Sequence, residues 1–190
     1  PDAPPNSGLS APAPSWRPGD RRPDVASMLR VDQAGEYGAT RIYAGQMAVL
    51  GDREPCARLI ARMAAQEQRH LQRFDALMAE RGVRPTVLQP VWDVAGFALG
   101  ATTALMSEEA AMACTEAVET EIDRHYGRQL DELGDEDPEF AADIKAFRDE
   151  ELEHRDTARQ AGAANAAGYP VLTATIRAAC RLAIGLSKRI

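Results

Sequence analysis

The two short stretches EQRH (67–70) and ELEH (151–154) decide the fold that we predict for this chain of 190 residues. Each stretch places a glutamate and a histidine three residues apart, so that both side chains lie on one face of a helix. In both segments the other residues on that face, at spacings of three and four, are mostly apolar. The pattern predicts two amphipathic helices that each bury a Glu–His pair.

Two further helical segments carry one core-facing glutamate each, Glu36 and Glu119. Glu36 precedes Glu67 by 31 residues and Glu119 precedes Glu151 by 32, and the two halves of the chain are offset by 83 or 84 residues at each matching position. At about 1.5 Å per residue, such a spacing leads up one helix and down the next, which returns both acids to the same height. The chain is therefore predicted to be a duplicated helical hairpin that folds into an all-α four-helix bundle.

A bundle that buries four carboxylates needs compensating positive charge, because an unpaired buried charge costs several kcal/mol. Two divalent cations would supply it, and two glutamates plus two Glu-x-x-His pairs form the ligand set of di-iron and di-manganese bundles. Oxygen and imidazole ligands without a thiolate favour iron or manganese. The candidate metal ligands are Glu36, Glu67, His70, Glu119, Glu151 and His154. The alternative is that these residues form ordinary surface ion pairs.

Four further polar residues and a tyrosine lie near these positions. Glu150 and Glu153 flank Glu151 but point away from the apolar face, because successive helical residues are rotated by about 100°. Glu116 lies one turn before Glu119 and is a candidate support for the site. His125 alone suggests a surface or capping histidine, but Tyr126 shares the Glu119 face, which favours a role for the pair beside the metal or the substrate.

The chain divides into a tail and one domain. Residues 1–23 hold seven of the twelve prolines and are predicted to be a flexible tail, and residues 24–190 form the helical domain. Its four bundle segments are 24–50, 52–82 (capped by Asp52 and ended by Gly82), 107–133 and 138–163.

Two apolar stretches, 86–106 and 168–190, remain outside the bundle segments. We expect a crossover helix in the first, which is too polar to span a membrane, and an amphipathic helix in the second. Both are candidates for a surface that contacts a membrane or a partner, with buried bundle helices or an oligomer interface as the alternative. Four basic residues of the second stretch would face an anionic membrane: Arg177, Arg181, Lys188 and Arg189.

The composition limits the remaining function classes. The chain has 29 acidic and 22 basic residues and a net charge of −7, which argues against nucleic acid as a partner. Its three cysteines, Cys56, Cys114 and Cys180, include no Cys-x-x-Cys pair. An odd number of such cysteines favours buried thiols in a reducing compartment over a disulfide framework.

Several long stretches resemble the demethoxyubiquinone hydroxylase family of ubiquinone biosynthesis. They are RVDQAGEYGATRIYAGQMAVL (30–50), EQRHLQRF (67–74), RPTVLQPVWDVAGFALGATTALM (84–106), AMACTEAVETEIDRHY (111–126) and FRDEELEHRD (147–156). The resemblance runs from Met28 to Ile190 and implies a ferritin-like fold. It also implies that the same six residues bind two iron ions, with either Glu119 and Glu151 or Glu36 and Glu67 bridging them, and it places His125 and Tyr126 near the site.

The activity that the resemblance implies is hydroxylation of the ring of a polyprenylated demethoxyquinone or demethoxyquinol. Dioxygen would be the oxygen donor and NADH the electron source. The chain has no G-x-G-x-x-G fingerprint, so NADH would act through a different kind of site, a partner or the quinone itself.

The resemblance also implies a peripheral membrane protein with a lipid-presenting accessory protein or a second copy of itself as partner. The cytoplasmic face of a bacterial inner membrane is the favoured location, and the matrix face of a mitochondrial inner membrane is less favoured. Two other functions use a similar bundle: a ferroxidase or iron-storage protein, and a non-enzymatic lipid-binding scaffold. The two apolar stretches favour the hydroxylase.

Overall fold

The computed structural model describes residues 23–51 and 55–189. The predicted tail of residues 1–23 therefore lies outside the described residues except for Pro23. In the described ranges the chain is all-helical, with no strand. The helices are α1 (Val25–Leu50), α2 (Cys56–Arg81), α3 (Gln89–Met106), α4 (Glu108–Leu133), α5 (Pro138–Gln160) and α6 (Tyr169–Ser187), with a short 3₁₀ turn at Ala163–Asn165.

Local signals in the sequence set several of these boundaries. Asp24, Ser107 and Asp137 each accept a hydrogen bond from a backbone N–H of the first turn of the helix that follows. Gly82 ends α2 at φ +64°, a conformation that suits glycine. The predicted end of α2 is confirmed, whereas the predicted cap at Asp52 lies outside the described residues, and α2 begins at Cys56.

Two antiparallel hairpins, α1–α2 and α4–α5, form the predicted four-helix bundle. Buried apolar side chains fill its two ends. One cluster includes Leu50, Ile60, Met63, Ala111 and Ala158, and the other includes Leu29, Phe74, Leu133, Phe140 and Ile144. The six candidate ligands lie along the helices between these two clusters. The predicted ferritin-like bundle of two repeated hairpins is therefore confirmed.

The predicted crossover helix and C-terminal helix both form, and they lie on one side of the bundle. α3 packs along α1, and α6 packs along α4. No helix in the described part of the chain is long and apolar enough to cross a membrane. Cys56 and Cys114 are buried free thiols and Cys180 is a partly buried one, in accord with the predicted lack of a disulfide framework.

Two arginines hold α6 against the bundle. Arg177 and Arg181 both bind the buried carboxylate of Glu121 on α4, at 2.8 and 2.9 Å, and so hold α6 against the bundle. Exposed Lys188 and Arg189 follow at the end of the helix. Arg177 and Arg181 of the predicted membrane-facing group therefore also serve as partners of a buried acid.

Glycines allow α3 to approach α1 closely. A Cβ atom at Gly100 would lie 1.9 Å from the carbonyl oxygen of Ile42, and one at Gly45 would lie 2.2 Å from that of Phe97. Both neighbours are backbone atoms, which cannot rotate away. Glycine is thus required at these two positions by the separation of the two helices.

We predict that Gly100→Ala destabilises the protein by about 1–3 kcal/mol, because the added methyl group must push the two helix backbones apart. Gly185→Ala in α6 is the matched control, since a Cβ there meets no atom within 4 Å. The control is expected to be neutral or to stabilise by about 0.5–1 kcal/mol, as alanine favours helix. Urea unfolding of both variants measures the difference, and equal stabilities would contradict the prediction.

Candidate metal centre

All six predicted ligands are buried in the centre of the bundle. The four glutamates come one from each bundle helix, Glu36, Glu67, Glu119 and Glu151, and none is more than 1% exposed. His70 and His154 lie one helical turn beyond the glutamates of α2 and α5. The sequence explains this arrangement. The six ligands lie on the apolar faces of their helices, and burial of these faces places the ligands in the core as well.

The ligand atoms form two adjoining groups. One consists of Glu36, Glu67, His70 and Glu151, and the other of Glu67, Glu119, Glu151 and His154; within each group the atoms lie within 4.8 Å of one another. Glu67 and Glu151 belong to both groups, so the two candidate cation positions share two carboxylates. This geometry suits two metal ions at neighbouring positions. It does not decide between Glu119/Glu151 and Glu36/Glu67 as the bridging pair, because each pair contains one of the two shared glutamates.

Several atoms of this cage lack hydrogen-bond partners among the described residues. They are Glu36 Oε2, both carboxylate oxygens of Glu67, His70 Nδ1, Glu119 Oε2 and Glu151 Oε1. Buried polar atoms are otherwise almost always satisfied. Their inward direction and their oxygen and imidazole chemistry fit divalent cations, which would supply the missing partners.

The crowding of four carboxylates and two histidines shifts the pKa values of the cage. Burial, followed by repulsion from Glu151, raises the pKa of both Glu67 and Glu119 well above the usual range. Burial lowers the pKa of His70, but the nearby carboxylates of Glu151 and Glu36 outweigh it and raise the value to about 10. Burial likewise opposes the ionised form of Glu151, but the two histidines outweigh it and hold its pKa at about 2.

Two tyrosines donate hydrogen bonds to the cage from opposite ends. Tyr43 donates to Glu119 at 3.0 Å, and Tyr126 donates to Glu36. Burial and the neighbouring carboxylates raise the pKa of both hydroxyl groups well above 10, so both remain protonated donors. Tyr126 therefore lies beside the cage, as its place on the Glu119 face predicted.

The predicted neighbours of the cage have different surroundings. His125 is buried, and its Nε2 lies 3.0 Å from Oδ1 of the buried Asp32. The reading of His125 as a surface histidine is wrong, because Asp32 provides a partner inside the bundle. Glu116 binds Arg159 at 2.6 Å and Tyr169 at 2.8 Å, and so it ties α4 to α5 and α6.

Sequence reasoning missed three polar residues around the cage. Glu150 does point away from the apolar face, yet its Oε2 lies 3.3 Å from His70 Nε2 on α2. Gln66 contacts His154 in the same way at 3.0 Å. The position of Asp32 could have been predicted from the sequence, because it lies one turn before Glu36 on the same face of α1. Gln66 and Glu150 had none beyond their places directly before Glu67 and Glu151.

An apolar cavity of about 180 Å³ lies between α1, α3, α4 and α6. Its lining includes Gly35, Gly38, Ile42, Trp92, Val118 and Ala183. Gly35 and Val118 are the immediate neighbours of Glu36 and Glu119, so the wall of the cavity is also the outer side of the cage. For comparison, a cavity of about 150 Å³ in another protein accommodates benzene.

Comparison with known proteins places this architecture in a family. The model of the family "Ubiquinone biosynthesis protein COQ7" matches residues 23–187. A relative from Rhodospirillum rubrum, 3-demethoxyubiquinol 3-hydroxylase, is 54% identical over 175 residues, which cover 91% of this chain and 82% of the relative.

Two eukaryotic relatives extend the comparison. The human NADPH-dependent 3-demethoxyubiquinone 3-hydroxylase, mitochondrial, is 54% identical over 173 residues, covering 89% of this chain and 79% of the relative. The 5-demethoxyubiquinone hydroxylase, mitochondrial, of Saccharomyces cerevisiae is 44% identical over 179 residues, covering 86% and 77%. The chain therefore belongs to the ubiquinone biosynthesis protein COQ7 family.

Proposed function

We propose that this protein is a di-iron monooxygenase that hydroxylates the ring of demethoxyubiquinone or demethoxyubiquinol in ubiquinone biosynthesis. The observation that carries the proposal is the buried cage of four glutamates and two histidines behind an apolar cavity. The hydroxylase names of the relatives support it, since the chain shares about half of its residues with them over most of its length.

The six candidate ligands would hold two iron ions, whose chemistry when bound is the activation of dioxygen. The protein itself supplies the geometry and a dry site. Tyr43 and Tyr126 fix the carboxylates of Glu119 and Glu36 by hydrogen bonds, and the apolar clusters at the two ends of the bundle exclude water. His125 lies next to Tyr126 in the chain, and with Asp32 as its partner it would support that end of the cage.

The cavity is the proposed place of the substrate ring. Its lining is apolar and its volume suits one substituted ring. Because α3 and α6 form its outer wall, a polyprenyl tail would leave between these two helices. The substrate would thus be bound with its ring toward the cage and its tail toward the apolar surface described below.

We predict that Gly38→Leu lowers kcat/KM for a short-tailed demethoxyquinone about 100-fold, because the added side chain fills the cavity. A Cβ at Gly38 meets no atom within 4 Å, so the backbone need not move. Gly38→Ala is the matched control and is expected to retain most of the activity. Iron content should be unchanged in both variants, and full activity of the leucine variant would place the ring elsewhere.

The outer faces of α3 and α6 form the proposed membrane surface. Val94 is 69% exposed on α3 and Leu182 is 64% exposed on α6, and Val91, Leu105, Met106 and Val171 are also exposed. Lys188 and Arg189 at the end of α6 would contact anionic headgroups. We infer a peripheral protein on the cytoplasmic face of a bacterial inner membrane, with this surface also available to a lipid-presenting accessory protein or a second copy of the chain.

We predict that the double variant Val94→Glu/Leu182→Glu binds vesicles of phosphatidylcholine and phosphatidylglycerol at least about 10-fold more weakly, since two apolar contacts are lost and two like charges are added. Gln72→Glu is the control. It adds one negative charge at an exposed position of α2, away from α3 and α6, and is expected to bind like the wild type. Vesicle flotation measures the bound fraction. Unchanged flotation of the double variant would exclude this surface.

The electron donor is a separate part of the proposal. The resemblance implies NADH, whereas the name of the human relative specifies NADPH. The decisive experiment incubates the iron-loaded protein with a short-tailed demethoxyquinone and ¹⁸O₂, with either nucleotide in parallel. One labelled hydroxyl group per product is expected, and a product without label would defeat the hydroxylase proposal.

The two alternatives predict different outcomes of this incubation and of a parallel one without quinone. A ferroxidase would oxidise added Fe(II) in the absence of quinone, with no labelled product. A non-enzymatic scaffold would bind the quinone without turnover. The apolar cavity beside the cage favours the hydroxylase, because a ferroxidase needs no site for an apolar ring.

A further inference from the structure

A chain of hydrogen bonds outside the cage connects its two histidines. His154 Nε2 lies 3.0 Å from Gln66 Oε1, and the amide nitrogen of Gln66 donates to Glu150 Oε2 at 3.0 Å. The same carboxylate oxygen lies 3.3 Å from His70 Nε2 and accepts from Arg69 at 3.1 Å. Gln66 and Glu150 are thus the outer partners of the two histidines and are bonded to each other.

This chain fixes which nitrogen of each histidine faces the cage. A carboxylate oxygen and an amide oxygen only accept hydrogen bonds, so Nε2 of each imidazole donates to its outer partner. Nδ1 of each histidine points inward, where a bound metal ion would replace its proton: that of His70 lies 3.0 Å from Glu151 Oε1, and that of His154 lies 3.0 Å from Glu67 Oε1. If the Gln66 amide were rotated by 180°, its oxygen would face the carboxylate oxygen of Glu150, and neither atom could donate a hydrogen bond. The orientation with the amide nitrogen toward Glu150 is therefore the one that we assign.

The two outer partners differ in charge. His70 donates to a carboxylate, whereas His154 donates to a neutral amide. A charged acceptor strengthens the hydrogen bond and raises the electron density on the imidazole more than a neutral one does. The inner residues are otherwise similar, because Glu67 and Glu151 belong to both groups of candidate ligands and each group has one further glutamate.

We propose that Glu150 and Gln66 are positioning residues that make the two metal positions unequal, so that the position beside His70 binds its ion more tightly and fills first. This inference rests on the metal centre of the proposed function. It assigns Glu150 the role of a charged partner for one histidine only, and Gln66 the role of linking the two histidines while keeping the second partner neutral.

The test titrates the metal-free protein with ⁵⁷Fe(II) under anaerobic conditions, with calorimetry for affinity and Mössbauer spectroscopy for the iron environments. Wild type is expected to bind two ions in two steps and to show one dominant quadrupole doublet at one equivalent. Glu150→Gln should weaken the first step at least about 10-fold and merge the two steps. Glu153→Gln is the matched control, because it removes the same charge from an exposed position of α5.

A charge swap separates this role from a merely structural one. The double variant Glu150→Gln/Gln66→Glu keeps the total charge but gives the carboxylate to His154. Its binding should return to two steps, and Glu119→Ala should then abolish the tighter step, whereas in the wild-type background Glu36→Ala should abolish it. Recovery of two steps by a compensating charge is not expected of a residue that only packs.

The outcomes distinguish this inference from the proposed function. Two equal steps in the wild type, or wild-type binding by Glu150→Gln, would overturn the inference while leaving the metal centre intact. A wild-type protein that binds no iron would overturn both. Unequal binding of two irons without hydroxylation would support the inference and defeat the proposed activity.

Discussion

Replacing Glu119 with alanine is expected to lower the rate of ring hydroxylation at least about 1,000-fold, equivalent to about 4 kcal/mol of transition-state stabilisation. Glu119 belongs to only one of the two groups of candidate ligands, the one that contains His154, and its Oε2 atom has no hydrogen-bond partner among the described residues. Its loss leaves three ligands in that group and frees the hydroxyl of Tyr43. The iron content should fall from two ions per chain to one or none.

The fold should survive this change, which allows the loss of activity to be assigned to the site. Alanine is the strongest helix former, and the substitution removes a buried carboxylate whose pKa is raised by burial and by Glu151. Glu132→Ala, at an exposed position of the same helix, controls for the loss of one negative charge. Circular dichroism, iron analysis and turnover are compared for the three proteins, and turnover above one tenth of wild type in Glu119→Ala would refute its role as a ligand.

The sequence predicted the bundle and the cage because both depend on a periodicity that the core enforces. A glutamate buried on an apolar helix face without a partner costs several kcal/mol of folding free energy. Four such glutamates at matched spacing therefore indicate a shared site that compensates their charge. Buried residues of this kind, such as Glu36 and Glu151, could therefore be identified from one sequence and are found where they were expected.

The outer partners of the cage could not be predicted in the same way. Glu150 is on the outward side of α5 by its helical angle, and only the distance between α5 and α2 brings its long side chain to His70. The same holds for Arg177 and Arg181, whose binding to the buried Glu121 on α4 has no signal in the sequence of α6. Such contacts join side chains of different helices, and the periodicity of one helix contains no information on its neighbours.

Removing the metal is expected to lower the melting temperature by an amount that grows with pH. At a free metal concentration 1,000 times the Kd, the bound state gains roughly 4 kcal/mol, which for a chain of this size corresponds to about 8–16 °C. The gain arises because the cations neutralise four buried carboxylates and satisfy the unpaired atoms of the cage. Metal ligands must be deprotonated, so metal binding becomes tighter as the pH rises.

The stability of the metal-free protein, in contrast, should fall as the pH rises. A group whose pKa is raised on folding stabilises the folded state only at lower pH. The contribution of His70 is complete below 6.5 and is lost as the pH rises to about 10. The raised pKa values of Glu67 and Glu119 act in the same direction above 4.5. The contribution of Glu151, whose pKa is about 2, is present above 4.5 and does not change between pH 6 and 8.

Thermal unfolding with two equivalents of Mn(II) or with excess chelator, at pH 6, 7 and 8, measures both effects. We expect the gap between the two melting temperatures to widen at each step. The metal-free double variant Glu67→Gln/Glu119→Gln should melt above the metal-free wild type and with a smaller pH dependence, because it retains the shape of the cage without two of its charges. A difference between the two melting temperatures that is constant or narrows with pH would mean that Glu67, Glu119 and His70 carry no excess protons when the metal is absent. A double variant less stable than the wild type would mean that the charges of Glu67 and Glu119 do not oppose folding.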